Sequence, residues 1–233
     1  MKKYKYIILI LTLIILVSFY VSWTIIVLKG YTNKLDNSVL EFFIDIRGEK
    51  GNFLYYFNRI ITEFGYTYAV IAIVIILLII FRCNMKSLVL GTGMGLAALF
   101  NESIKNAYKR ERPDELIRWQ VEHSHSYPSG HSNISTIAYG SIIYLILKSN
   151  INKKYKMIFI PITALIPFLI YISRLMLSVH YFSDVIGGIT NGLMFLTLSI
   201  LIVEILEDKT NFNGLKPLID KKLKREEKEA LND

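Results

Sequence analysis

Cysteine is nearly absent from this chain of 233 residues: Cys83 stands alone, so no internal disulfide and no multi-cysteine metal site can form. Charge is scarce too, at 20% of residues against 53% hydrophobic ones, with a mean hydropathy of +0.41. A soluble protein of this size could not hide that much apolar surface. No charge interrupts the 23 positions from Tyr6 to Leu28, enough to cross a hydrocarbon core of about 30 Å at about 1.5 Å per residue. That run is too long for a signal peptide and no small-residue cleavage site follows it, so it reads as a retained first span. No internal repeat, no low-complexity tract and no run of basic residues interleaved with aromatics occurs. The net charge of +8 therefore reports membrane topology, and no nucleic-acid partner is expected. Soluble enzymes, secreted disulfide scaffolds and disordered proteins are excluded. This is an integral membrane protein.

What the chain has in abundance is apolar blocks. After the first come residues 64–81, 87–105, 131–147, 157–174 and 184–203, each of about spanning length. They are solid runs without the alternation of barrel strands, which predicts an all-α polytopic protein with six transmembrane helices. Residues 1–208 make one membrane domain, and 209–233 a mixed-charge basic tail. Residues 29–63 alternate charge with Phe42, Phe43, Phe53 and Tyr56, the pattern of helices lying in the interface.

Short loops set the orientation. Residues 82–86 and 148–156 carry six basic residues and no acidic one, and the tail adds seven more basics. Residues 29–63 balance five basics with five acids. The bias predicts a multi-pass cell-membrane protein with both termini in the cytoplasm. Against it, Lys105, Lys109, Arg110, Arg112, Arg118 and Arg174 fall on the outer side, where basic residues are disfavoured. Something else must require them.

Three polar clusters stand where spans meet that outer side. The first is Lys105 with Arg112-Pro113; a separation of seven is about two helical turns, which places both cations on one helix face. Pro113 disfavours helical dihedrals at Arg112 and is expected to stop the helix there. Alone, the pair reads equally well as snorkelling cations at a membrane edge. The second is Pro128-Ser129-Gly130-His131, opening the fourth span. Ser129 suits an N-cap, Gly130 lets a ligand approach the backbone, and the free amides of a helix start favour a phosphate. His131 could give a proton to whatever sits there, although the segment alone is also a plain turn and cap. The third cluster is Ser173-Arg174, His180 and Asp184. His180 and Asp184 are four apart and should share a helix face, where the carboxylate holds one ring nitrogen. Arg174 and His180 are not at same-face spacing, so a bend between them is required. Ionisable groups at a membrane edge are costly and functional by default, the alternative being a structural ion pair.

Together the clusters say more. Three cations, a helix N-terminus and two histidines converging on one side make a site for a phosphoryl group: the cations offset its charge, one histidine attacks, and the other protonates the leaving oxygen. Lys105 with Arg112-Pro113, Pro128-Ser129-Gly130-His131, and Ser173-Arg174 with His180 and Asp184 resemble all three signature motifs of the type 2 phosphatidic acid phosphatase superfamily, complete in residue type and spacing. The resemblance implies the helical bundle shared with haloperoxidases. It also implies His180 as a nucleophile forming a phosphohistidine, Asp184 as its orienter and His131 as general acid. Lys105, Arg112, Ser129, Gly130 and Arg174 would bind the phosphoryl oxygens, with no metal and no cofactor.

A site at the outer interface suits a lipid phosphate whose tail stays in the bilayer, and no obligate protein partner is evident. In a chain rich in Ile, Lys and Asn, which reads as bacterial, the substrates the resemblance implies are undecaprenyl diphosphate, phosphatidylglycerophosphate and phosphatidic acid. Undecaprenyl diphosphate is the favoured reading. Vanadium haloperoxidases share the anion site but are soluble. A lipid-phosphate binder or flippase would need the cations without His131, His180 and Asp184. His123 and His125 lack a third ligand nearby and read as solvated loop residues. The Gly91/Gly95 and Gly188/Gly192 pairs have the spacing of close helix packing. Glu102 is open: it could touch the site or pair with Lys105 or Lys109.

Overall fold

The computed structural model describes residues 2–80 and 85–210, and these contain eight α-helices and no strand. In chain order they are α1 (Lys2–Leu28), α2 (Asn33–Arg47), α3 (Phe53–Glu63), α4 (Thr67–Ile80), α5 (Met85–Tyr108), α6 (Gly130–Lys148), α7 (Lys153–Met176) and α8 (Phe182–Thr210). Most of the tail expected from residue 209 onward lies outside the described residues.

Apolar side chains on all sides of a helix suit hydrocarbon, where backbone groups must find partners within the helix itself. Among the described residues, α1, α5, α7 and α8 are long and apolar enough to cross a membrane, and α3 with α4 makes a fifth candidate, broken by a 50° bend. Six were expected. The difference lies in α6, which α5, α7 and α8 surround. Its Ser132, Asn133, Ser135, Thr136 and Ser141 are buried, so this helix faces protein and needs no lipid-compatible surface. Two of those hydroxyls are satisfied one turn back, Ser135 at the His131 carbonyl (2.6 Å) and Thr136 at the Ser132 carbonyl (2.6 Å).

Helices α6 and α8 approach closely because α8 presents glycines. A Cβ at Gly188 would lie 2.4 Å from the Ser129 carbonyl oxygen, and one at Gly192 would lie 2.6 Å from that of Asn133. The expected packing role holds there. It holds for Gly91, where a Cβ would lie 3.3 Å from Val74 Cγ1 of α4, but not for Gly95, where a Cβ meets nothing within 4 Å; the α5 glycine that touches α8, at Ser199, is Gly93. Asn133 ties three helices, donating to the Ala97 carbonyl at 3.0 Å and accepting from Asn191 at 3.1 Å.

Residues 29–63 form helices α2 and α3, which cap one end of the bundle. Arg47 reaches across to the carbonyls of Ile117 (2.7 Å) and Met176 (3.1 Å) and to Ser178 Oγ (2.6 Å). Asp36 accepts from the Ser183 amide at 2.9 Å. Phe53, Tyr56 and Ile60 remain exposed on α3. At the opposite end, buried Glu204 gathers Lys5 (2.6 Å), Tyr144 (2.9 Å) and Lys148, fastening α1 and α6 to α8.

Candidate active site

All three polar clusters meet beneath the α2–α3 cap, around a cavity of about 360 Å³. Lys105, Arg112, Gly130, His131 and His180 line it. Asp184 stands behind His180. Ser129 and Arg174 are fully buried and do not line the cavity.

Lys105 and Arg112 converge by a route the spacing did not foretell. Helix α5 ends at Tyr108, four residues before Arg112, and Lys109 turns the chain with φ of 48°. The two cations therefore do not share a helix face. They share acceptors: Lys105 Nζ donates to the His125 carbonyl at 2.8 Å and Ser124 Oγ at 3.3 Å, and Arg112 Nη2 reaches the same atoms at 3.3 and 3.1 Å. The loop folds back over both side chains and aims them together.

His180 and Asp184 also meet without sharing a helix, because α8 begins only at Phe182. Asp184 Oδ2 accepts from the Tyr181 amide at 2.8 Å and from Ser126 Oγ at 2.5 Å, and it lies 3.5 Å from His180 Nδ1. On the other ring edge, Arg112 Nη1 lies 3.1 Å from His180 Nε2. A guanidinium only donates, so this contact assigns the lone pair to Nε2 and the proton to Nδ1, facing Asp184. Burial holds His180 well below the ordinary histidine range, and Arg112, Arg174 and Lys105 push the same way. The imidazole is neutral at neutral pH, with Nε2 toward the cavity cations.

The bend expected between Arg174 and His180 is present: α7 stops at Met176 and Ser178 has φ of 51°. It leaves Arg174 facing elsewhere, with Nη1 donating to Thr62 Oγ1 at 2.6 Å and Nη2 paired with Glu122. Ser129 caps α6 weakly, accepting from the Ser132 amide at 3.4 Å, while its own amide donates to the Asp184 carbonyl at 3.0 Å. That contact joins the start of α6 to the start of α8. His131 follows at once, its ring edge-on to Tyr66 at 4.5 Å and its Nε2 buried with no hydrogen-bond partner.

Several participants had no motif to announce them. Glu122 lies between Arg174 and Arg112, 3.8 Å from the latter. Burial raises its carboxyl, but Arg174, Arg112 and Lys105 together outweigh burial and the net shift is below the usual carboxylate range. Burial lowers the Arg112 guanidinium to about 10, Glu122 opposing. Arg110, one of the unexplained basic residues, donates to Asp184 Oδ1 at 2.5 Å and to Asp36 Oδ2 at 2.8 Å. Glu102 lines the cavity. Of His123 and His125, only the His125 carbonyl enters this network. No group of three or more metal-ligating side chains occurs among the described residues.

The model of the PAP2 superfamily matches residues 86–207, just over half of the chain and all three clusters. The chain belongs to the PAP2 superfamily. It is similar to phosphatidylglycerophosphatase B of Bacillus subtilis (strain 168), with 32% identity over 145 residues, covering 59% of this chain and 70% of that protein. The crystal structure of a transmembrane PAP2-type phosphatidylglycerolphosphate phosphatase from Bacillus subtilis superposes with a TM-score of 0.70 at 27% identity, over 87% of this chain and 98% of that one. LpxE of Aquifex aeolicus shares the fold, with a TM-score of 0.56 at 24% identity over 69% of this chain and 93% of its own. This PAP2 protein is thus a multi-pass membrane phosphatase, a hydrolase of phosphate esters.

Proposed function

We propose that this PAP2 phosphatase cleaves the phosphomonoester of a membrane lipid, with phosphatidylglycerophosphate as its substrate. The head group follows the Bacillus relatives, which are named for that activity. It displaces undecaprenyl diphosphate, the first choice on sequence, to second place.

The observation that carries the mechanism is the polarity of His180. Asp184 faces Nδ1 at 3.5 Å, and Nε2 points to the side where Lys105, Arg112 and His131 bound the cavity. The phosphoryl oxygens take the place of Nε2 as acceptors for Arg112 and accept from Lys105 as well, supported by the first amides of α6 at Gly130. Nε2 attacks phosphorus, the bond from phosphorus to the lipid oxygen breaks, and His131 delivers a proton to that oxygen. Water then attacks the phosphohistidine while His131 takes up its proton, releasing inorganic phosphate. Asp184 keeps the ring oriented and offsets the charge of the phosphorylated imidazole. Ser129 and Arg174, turned from the cavity, act by holding the α6 start and Glu122. No step needs a metal.

Counting the bent α3–α4 pair as one span and adding α6 gives six, which returns the chain to the side where it began. With the charge bias, both termini and the basic tail from residue 209 are then cytoplasmic and the site faces out. Assay of the purified protein on lipid mono- and diphosphates tests the substrate. Phosphatidylglycerophosphate should be hydrolysed fastest, with activity intact in chelator. Faster turnover of undecaprenyl diphosphate would reverse the head-group assignment, and activity lost in EDTA but restored by magnesium would sink the metal-free mechanism.

A further inference from the structure

A second hollow of about 390 Å³ opens beside the catalytic cavity, and the reaction proposed above gives it no task. Three cations line it: Lys50 from the α2–α3 turn, Arg59 from α3 and Arg118 from the long α5–α6 loop. One carboxylate opposes them. Glu115 lies 2.8 Å from Arg118 Nη2, but its side chain is 87% exposed, so water screens the pair strongly. Lys50 and Arg59 make no hydrogen bond or ion pair among the described residues. Like charges gathered round a hollow raise its potential and draw an anion in. Arg118 is also one of the basic residues that the loop-charge bias leaves unexplained.

The floor of the hollow is rigid. The Arg47 guanidinium covers the ring of buried Trp119 at 4.4 Å, and Tyr55 meets it edge-on at 5.6 Å. With those contacts made, Trp119 serves as a floor and not as a stacking surface. The polar demand is specific. Arg118 Nε, a donor, and Gln120 Oε1, an acceptor, are both buried without a partner. Buried polar atoms are costly unless satisfied, and this pair calls for a ligand offering oxyanion acceptors and a hydroxyl. A phosphate group has both when singly protonated or esterified to a polyol.

We infer that this hollow is a second phosphate-binding site, separate from the catalytic cavity, for the head-group phosphate of an anionic lipid or for free phosphate. Gln120 is the shared wall: its Nε2 donates to Glu122 Oε1 at 3.0 Å and to the Tyr66 hydroxyl at 2.5 Å, and both those residues line the catalytic cavity. The inference does not depend on which lipid is hydrolysed.

The test uses full-length protein carrying His180→Ala, which blocks turnover, in detergent. Native mass spectrometry with phosphatidylglycerol reads lipid retention, and equilibrium dialysis counts inorganic phosphate. A retained phosphatidylglycerol that phosphatidylcholine cannot replace marks the lipid as the source. A second inorganic phosphate per chain, with no lipid retained, marks free phosphate. In either case Lys50→Gln/Arg59→Gln/Arg118→Gln should weaken that binding about tenfold or more, since three charge-assisted contacts are removed. Exposed Lys50→Gln alone should weaken it in the same direction without risk to the fold. Binding equal in the wild-type and triple-variant backgrounds would overturn the site. So would loss of soluble aryl phosphate hydrolysis when the three substitutions are made in the active enzyme, because the hollow would then be part of the catalytic cavity.

Discussion

Arg110 donates to Asp184 Oδ1 at 2.5 Å, on the carboxylate oxygen that does not face His180. Asp184 is therefore already paired with a cation before His180 could acquire a charge. This explains how a histidine beside an aspartate stays well below its ordinary range: burial and three cations act against a carboxylate whose charge is spent elsewhere. Arg110→Gln should release that charge to the ring. The acid limb of kcat/KM should rise by about one pH unit toward the ordinary histidine value, with the plateau lowered because Asp184 loses an anchor. A limb that stays in place would mean that Arg110 does not govern His180.

The unaltered enzyme should show the converse. Protonating His180 removes the proposed nucleophile, and its folded-state pKa is depressed, so the neutral form persists as pH falls below about 6.5. The acid limb should accordingly lie below that value. A pH–rate series on a soluble aryl phosphate measures this directly, and an acid limb above about 6.5 would contradict the burial argument.

Glu122 is the carboxylate partner of a fully buried guanidinium, Arg174, whose other contact is Thr62 Oγ1. Glu122→Ala strands that charge, which typically costs about 3 kcal/mol or more, and should lower the thermal midpoint in detergent by several degrees. Glu122→Gln keeps one hydrogen bond and should cost less. Equal midpoints for the two variants would show that the charge is not what Arg174 requires.

Much of this site was legible because the motif spacing picks out side chains that the fold brings together: Lys105, Arg112, Gly130, His131 and His180 all line one cavity. The local structure carrying them was less legible. Helical spacing placed Lys105 with Arg112 and His180 with Asp184 on common faces, yet a turn at Lys109 separates the first pair and the start of α8 at Phe182 separates the second. Convergence came from loop carbonyls and from the Tyr181 amide, which no periodicity encodes. Glu122 and Ser126 lie in a loop without repeat or motif, and only the folding of 109–129 over the bundle end brings them in. Helix α6 illustrates the same limit in the fold: hydropathy reads contact with lipid, and α6 faces protein.

The α6–α8 contact fixes where His131 stands relative to Asp184, and Gly188 permits it. In Gly188→Ala the new methyl would sit 2.4 Å from the Ser129 carbonyl oxygen, a backbone atom with little room to yield. The helices must part, at a cost of about 1–3 kcal/mol. Activity should fall further than stability, since the Ser129 amide contact to the Asp184 carbonyl is strained in the same movement. An active, fully stable Gly188→Ala protein would show that this spacing is not critical.

The two histidines can be told apart by their leaving groups. His180→Ala removes the atom proposed to attack phosphorus, so it should abolish turnover and leave no acid-labile phosphoenzyme to trap. His131→Ala removes the proposed proton donor and leaves the nucleophile with Asp184, Lys105 and Arg112 in place. An alkyl alcohol departs poorly as an alkoxide and needs that proton, whereas an activated aryl phosphate departs as a stabilised phenolate. General acid catalysis contributes about 10²–10⁴-fold, so His131→Ala should slow the lipid substrate by roughly that factor and the aryl phosphate far less. The buried, unpartnered Nε2 of His131 supports this role, since an incoming ester oxygen is the acceptor it lacks. Equal slowing of both substrates would remove the general-acid assignment and leave His131 as part of the phosphate cradle.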